Sequence, residues 1–436
     1  MLKNILLAKK RIEDAGGGKL LRVVSHFDTD EITSAAIFSR VLERWGRAFS
    51  LQIVKGLDEG FVEGLPEDEL LIFLDLASGS LEQIGKKKNE VIIFDHHEIV
   101  QEIPENVLMI NPFLDSEREN LSSAAICYLF GKEVNSGNVD LATLAVIGMV
   151  GDLQEKNIGK RFSEIIKDSE TTIKKGLLLY PSTRPLDKTL EYCSSPFIPG
   201  VTGDRQGVLE LLRSTGIGFD NGRYKALYEL DDDEMKKLIT SVMISCARNG
   251  GAENMIGNLF LVRFFNKLED ARELSALINA CSRMGHPNVA LGFCLGNRKS
   301  RERAEEIYIG YKQSLVSALK YASNGGTTKG KNYMIIHGKD KIKDTIIGTV
   351  ASIISHSPSY DAGQMVIALA YNKDKIKVSA RAVGREGRNV REVLNKVVVP
   401  LGGEVGGHPE AAGCLISREC EEEFLEGIRK ELEAAS

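Results

Sequence analysis

Apolar residues in the first third of the chain form short runs separated by stretches with helical spacing. Three runs predict buried strands: LLRVVSH at 20–26, LLIFLD at 70–75 and EVIIFDHH at 90–97. Residues 34–45 between the first two runs have the spacing of a helix, and LATLAVIGMVGD at 141–152 predicts a buried helix ending near Gly151. Because strands alternate with helices, the pattern predicts a mostly parallel sheet.

The pattern changes after about residue 160. Amphipathic helical spacing is found in three long stretches, at 164–180, 231–250 and 301–322. The polar, glycine-rich stretch at 323–332 predicts a linker or an exposed turn. Further strand-like and helical runs then predict a second, small α/β unit. The sequence therefore predicts three domains, at 1–160, 161–328 and 329–436.

Composition narrows the class of protein only slightly. The 436 residues include 56 basic and 61 acidic side chains, a formal net charge of −5, which argues against coating nucleic acid through bulk positive charge. The seven cysteines are scattered and form no C-x-x-C pair, so we expect neither a disulfide framework nor a zinc knuckle, and a reducing cytoplasm is favoured. With no long uncharged apolar stretch, we expect a soluble protein without membrane contact. No particular oligomeric state is predicted.

Acidic and histidine residues follow the predicted buried elements. They are His26, Asp28 and Asp30 after the first run, Asp75 after the second, Asp95, His96 and His97 at the end of the third, and Asp152 after the helix. In an open α/β sheet the carboxyl ends of parallel strands meet at one edge, where ligands bind. We therefore expect these side chains to converge.

Converging carboxylates need a counter-charge, because unpaired buried charges are costly. Mixed carboxylate and imidazole ligands suit manganese and related metals, and two ions about 3.5–4 Å apart clamp phosphoryl oxygens and activate water. Asp75, alone at its strand end, is the candidate bridge between two ions. Taken singly, such an aspartate is usually a turn residue or a helix cap. A single histidine is more often a packing or surface residue than a metal ligand. The joint order of four motifs favours the metal site.

These motifs resemble the DHH phosphoesterase family, in particular archaeal RecJ-like nucleases, over nearly the whole chain. The resemblance implies an α/β fold with a mostly parallel-sheet DHH catalytic domain, a helical connecting region and a smaller α/β C-terminal DHH-associated domain. It implies two divalent metal ions, with Mn²⁺ preferred and Mg²⁺ as the alternative. The implied ligands are His26, Asp28, Asp30, Asp75, His96 and Asp152, with Asp95 and His97 as catalytic or supporting residues.

A second motif lies near the C-terminus. GGEVGGHPEAAG at 402–413 follows the strand-like KVSARA at 377–382. A Gly-Gly-His loop lets backbone N–H groups approach a phosphate closely. Taken alone, a glycine-rich loop is usually a tight turn. An arginine-rich stretch beside it usually forms a solvent-exposed face. By resemblance to the DHH-associated domain, the substrate is gripped by Ser379, Arg381, Gly406, Gly407 and His408, with His408 counted among the catalytic residues.

One position departs from the family pattern. The family usually has glycine after the second aspartate of the first motif, where this chain has Glu31. Glu31 is either a harmless residue at a helix start, favoured by the helix dipole, or an added negative charge beside the metals that weakens activity. In the middle region, whether Arg184 or Arg283 lines a channel is left open.

The leading functional hypothesis is a single-strand exonuclease acting on DNA or RNA in replication or repair, with replication proteins such as the GINS complex as candidate partners. One alternative is a hydrolase of pyrophosphate, cyclic dinucleotides or very short oligonucleotides. The other is a replication scaffold with weakened catalysis, for which Glu31 is the only support.

Overall fold

The structure is a computed structural model that describes residues 1–15, 19–116, 118–193, 198–246, 255–356, 360–385 and 387–433. The chain folds into two compact units. The first comprises Met1–Thr189, Leu212–Thr240 and Asn254–Tyr308, and the second comprises Leu190–Leu211, Ser241–Glu253 and Ile309–Ser436. The three domains predicted from the sequence remain a prediction.

An all-parallel sheet forms the centre of the first unit. Its strands are β1 (Leu21–Ser25), β2 (Phe49–Ile53), β3 (Leu70–Leu74), β4 (Val91–Phe94) and β5 (Val107–Ile110), in the order β2-β1-β3-β4-β5. The helices of this region are α1 (Leu2–Asp14), α2 (Thr29–Arg44), α3 (Glu59–Glu63), α4 (Leu81–Gly85), α5 (Ser123–Val134), α6 (Ala142–Gly151) and α7 (Lys160–Asp168). The predicted parallel sheet is confirmed; β2 and β5 were not predicted.

Strands β3 and β4 are apolar throughout because both faces of the sheet are covered. On one face, Phe38 of α2, Phe94 of β4 and Phe130 of α5 pack with ring centroids 5.1–5.3 Å apart. On the other face, Phe73 and Ile93 pack with residues of α3 and α4 in a second apolar cluster. This double cover fixes the sheet and leaves its strand ends as the place for polar residues.

The middle region contains more strand than its sequence predicts. Its elements are α8 (Leu186–Tyr192), α9 (Arg205–Thr215), α10 (Asp232–Cys246), α11 (Ala271–Arg283), α12 (Pro287–Cys294) and α13 (Arg298–Ser323), with β6 (Thr172–Leu177), β7 (Phe219–Asp220), β8 (Arg223–Tyr224), β9 (Ile256–Phe264) and β10 (Lys267–Asp270). Strands β6, β9 and β10 form an antiparallel sheet in the order β10-β9-β6.

The prediction of one helix over 164–180 is therefore wrong beyond Asp168. Thr172 pairs with Leu261 of β9, about 90 positions along the chain (261 − 172 = 89), and the register continues to the end of β6. A remote strand thus overrides the local helical spacing. The helix predicted over 231–250 is present as far as Cys246, and residues 247–250 lie outside the described residues.

The second unit is built on a six-stranded mixed sheet. The elements that follow α13 in this unit are β11 (Thr327–Lys329), β12 (Tyr333–Lys339), α14 (Asp344–Ser355), β13 (Met365–Asn372), β14 (Lys375–Ala382), α15 (Val390–Val398), β15 (Val405–His408), β16 (Ala411–Ser417) and α16 (Glu421–Glu433), with strand order β11-β12-β13-β14-β16-β15. The stretch at 323–332, predicted as a linker or turn, contains β11, which pairs with β12. In the described part of the chain, every helix is too short or too polar to cross a membrane.

Helices α2, α5 and α6 pack closely against one another at Gly148. A β-carbon there would lie 2.5 Å from Thr33 Oγ1 and from Ala124 Cβ, and 2.7 Å from Asp30 Oδ1. We predict that Gly148→Ala destabilises the protein by about 1–3 kcal/mol through overpacking. The measurement is the shift of the unfolding midpoint in urea.

Gly310→Ala is the matched control, because this glycine is also helical but its β-carbon would meet nothing within 4 Å. Helix propensity then predicts stabilisation by about 0.5–1 kcal/mol. Equal midpoints for the two variants would contradict the close approach at Gly148.

Candidate metal centre

The predicted acidic motifs lie at the ends of β1, β3, β4 and α6. Asp28 is the N-cap residue of α2, and Asp75 follows β3 with a backbone φ of 54°. That left-handed conformation costs an aspartate about 1 kcal/mol or more and persists where the surroundings fix it. Asp75 N–H still donates to the Phe94 carbonyl at 2.8 Å, so the sheet holds the residue in place.

The N-terminus of α5 anchors two of the predicted ligands. The Asp30 carboxylate accepts hydrogen bonds from the backbone N–H groups of Ser123 at 2.7 Å and Ala124 at 3.0 Å. The Ser123 hydroxyl donates to Asp75 Oδ1 at 2.8 Å. A helix N-terminus favours negative charge, which explains how buried Asp30 is tolerated. Ser123 was missed from the sequence because a serine at a helix start is ordinarily a capping residue.

His96 joins the other carboxylates. Its Nε2 lies 3.3 Å from Asp75 Oδ1, and its Nδ1 lies 3.7 Å from Asp152 Oδ2. The Gln154 side-chain amide donates to Asp152 Oδ2 at 2.8 Å and so orients this carboxylate. The structure thus brings together residues that are up to 122 positions apart in the chain (152 − 30), as the sequence motifs predict.

Asp95 supports the histidines. Its Oδ1 accepts hydrogen bonds from the backbone N–H groups of His96 and His97 and from His97 Nδ1 at 2.8 Å, while Oδ2 accepts one from the Ser78 hydroxyl at 2.6 Å. Burial alone would raise the pKa of Asp95, but these bonds outweigh it and lower the pKa to about 2. The hydrogen bond to Asp95 in turn raises the pKa of His97 to about 9.

Glu31 faces this cluster and does not lie in solvent. Its side chain is 9% exposed, and Oε1 lies 2.8 Å from His26 Nδ1. Ligand atoms of His26, Asp28 and Glu31 lie within 4.8 Å of one another. Of the two interpretations of Glu31, the structure favours added acidic character at the site over a remote helix-start role.

Three carboxyl groups of the cluster have raised pKa values, which is the effect expected of buried acids that repel one another. Burial, followed by the charges of neighbouring carboxylates, raises the pKa values of Glu31 and Asp75 well above their ordinary range. Burial and the charge of Asp30 raise the pKa of Asp152 to about 6. Such groups repel one another when ionised, and divalent ions relieve that repulsion.

The donor atoms suit a divalent ion of the manganese type. Asp75, His96 and His97 place ligand atoms within 4.8 Å of one another, which gives a second carboxylate and imidazole group beside that of His26, Asp28 and Glu31. Asp28 Oδ1 is buried and accepts no hydrogen bond from the residues that the structure describes. Arg283 Nη2 lies 3.7 Å from this atom, whereas Arg184 pairs with Glu273 at 2.6 Å.

The predicted substrate residues lie in the second unit. Ser379 is buried on β14, and Arg381 Nε donates to the Ser352 hydroxyl of α14 at 2.9 Å. The sequence predicts a Gly-Gly-His loop, and this prediction is wrong. Gly406, Gly407 and His408 belong to β15, an edge strand paired with β16. The φ of Gly407 is 116°, and a β-carbon there would lie 2.5 Å from the Ala411 carbonyl oxygen, so the position requires glycine.

Comparison with known families agrees with this architecture. A DHH family N-terminal domain matches residues 21–149, a DHH-CID domain matches 179–260, and a DHHA1 domain matches 330–434. The chain belongs to the DHH family. An uncharacterized protein of Methanocaldococcus jannaschii is 29% identical over 426 residues, which cover 94% of this chain and 92% of that protein.

Solved structures show the same fold in RecJ-like proteins. Exonuclease RecJ bound to manganese matches with a TM-score of 0.63 at 17% identity, over 99% of this chain and 94% of that chain. Cdc45 of Entamoeba histolytica matches with a TM-score of 0.66 at 14% identity, over 98% of both chains. The predicted resemblance to RecJ-like DHH proteins is confirmed. DHH family membership supports a metal-dependent phosphoesterase, a hydrolase.

The pair of His97 and Asp95 makes stability depend on pH in metal-free protein. The pKa of folded His97, about 9, lies above its ordinary value of 6.5, so its stabilising contribution is fully present below about pH 6.5 and lost as pH rises through 9. We predict that His97→Gln lowers the urea midpoint at pH 6 and has less effect at pH 10. The difference is modest, because the imidazole is 60% exposed.

The exposed His356, in the second unit, provides the control variant His356→Gln. Measurements are made with EDTA present. A His97→Gln deficit of equal size at pH 6 and pH 10 would contradict the ion pair.

Proposed function

We propose that this chain is an exonuclease that hydrolyses single-stranded DNA or RNA with two divalent ions, preferably Mn²⁺. The observation that carries the proposal is the meeting of Asp30, Asp75, His96 and Asp152 with His26 and Asp28 at the carboxyl edge of the parallel sheet. When bound, the ions supply Lewis-acid activation of the phosphodiester and of water near neutral pH.

The residues take different roles in this proposal. Asp75 would be the ligand shared by both ions, because its Oδ1 lies 3.3 Å from His96 Nε2 and 3.5 Å from His97 Nδ1. The other ligands would be His26 and Asp28 for one ion, and Asp30, His96 and Asp152 for the other. Asp95 holds Nδ1 of His97 and leaves Nε2 of this partly exposed ring for a substrate phosphate. A protonated imidazole there would bind the anionic phosphate.

In the second unit, Arg381 supplies a positive charge for the nucleic-acid backbone. Its orientation is fixed by Ser352. The edge strand with Gly406, Gly407 and His408 supplies backbone N–H groups and an imidazole for a phosphate. We assign Ser379, Arg381 and these three residues to substrate binding. A role in replication or repair, with a partner such as GINS, is part of the same proposal and rests on the resemblance of the sequence motifs to archaeal RecJ-like nucleases.

End-labelled single strands of DNA and RNA test the activity. We expect release of mononucleotides with Mn²⁺, less with Mg²⁺ and none with EDTA. Asp75→Asn and Asp152→Asn should each lower the rate about a hundredfold or more, because each removes a charged metal ligand worth several kcal/mol in the transition state.

Asp140→Asn is the matched control, since this aspartate is 56% exposed and pairs with Arg44. It should keep the wild-type rate. Pyrophosphate and a dinucleotide are assayed in parallel. Faster turnover of either than of the long single strands would show that the substrate is a small molecule and not a polymer. A purified protein that binds no Mn²⁺ would instead favour the scaffold alternative.

A further inference from the structure

Glu31 and His26 form a pair within the cluster. His26 Nδ1 lies 2.8 Å from Glu31 Oε1, and the glutamate side chain is nine-tenths buried. The Glu31 backbone carbonyl accepts a hydrogen bond from the Ser25 hydroxyl at 2.9 Å. This bond ties the start of α2 to the end of β1, so the glutamate is held at a fixed distance from the ring.

The same arrangement occurs a second time in the site. Asp95 Oδ1 lies 2.8 Å from Nδ1 of His97, the distance found for Glu31 and His26. Two histidines on different strand ends are thus each backed by a buried carboxylate at Nδ1. Carboxylates in this position orient a metal-binding imidazole and leave its other nitrogen as the ligand atom.

We propose that Glu31 is a positioning residue, which orients His26 as a metal ligand through the hydrogen bond at Nδ1. The inference rests on the proposed function, because it takes His26 as a ligand. Glu31 then strengthens metal binding through His26, and its negative charge beside the metals is a secondary effect.

Two substitutions separate geometry from charge. Glu31→Gln keeps an oxygen acceptor for Nδ1 and loses the charge, whereas Glu31→Ala loses both. We expect Glu31→Ala to weaken Mn²⁺ binding about 10- to 100-fold, the usual effect of removing such a partner. Glu31→Gln should stay within about threefold of wild type. Affinity is measured by isothermal titration calorimetry, and thermal unfolding verifies that each variant is folded.

A double-mutant cycle tests whether the effect passes through His26. In a His26→Asn background, Glu31→Ala should cause no further loss of Mn²⁺ affinity, because the orienting partner no longer has a ring to hold. Glu43→Ala, on the exposed side of the same helix, is the charge control and should bind as wild type does.

Two outcomes would overturn the proposal. One is a loss in Glu31→Gln as large as in Glu31→Ala, which would make charge the cause. The other is an equal loss from Glu31→Ala with and without His26. Failure of the wild-type protein to bind Mn²⁺ is a different result, because it rejects the proposed metal-dependent function itself.

Discussion

Several carboxylates lie close together at one edge of a parallel sheet, and three of them are buried. Glu31, Asp30 and Asp75 are each less than a tenth exposed, and burial raises the pKa values of Glu31 and Asp75. The fold meets this cost in two ways. The N-terminus of α5 donates two backbone N–H groups to Asp30, and imidazoles stand beside Asp75. The remaining negative charge is what divalent cations would balance.

The close packing of helices behind the sheet positions this edge. Gly148 lets α6 approach α2 and α5 so closely that a single methyl group would reach the Asp30 carboxylate. The aromatic contacts of Phe38, Phe94 and Phe130 hold α2 and α5 on the sheet. The positions of Asp30 and Asp152 therefore depend on apolar packing one layer below, since Asp30 lies in α2 and Asp152 ends α6.

Sequence and structure agree where the signal is local and diverge where it is not. The runs at 70–75 and 90–97 are apolar because both sheet faces are covered, so their strands could be predicted from the runs alone. Strand β6 could not be predicted, since its partner β9 is far along the chain and its own spacing resembles a helix. Similarly, the Gly-Gly-His segment has loop composition, and pairing with β16 makes it a strand.

The sequence by itself determined the family, the α/β class and the candidate acidic and histidine residues, because residue type and order along the strands carry that information. It could not give the partners of those residues. Ser123 and Ser78 are ordinary polar residues in the sequence, and only the tertiary fold brings them to Asp75 and Asp95. The orientation of Glu31 toward His26 was decided in the same way, since the turn between β1 and α2 aims a side chain that composition alone would leave in solvent.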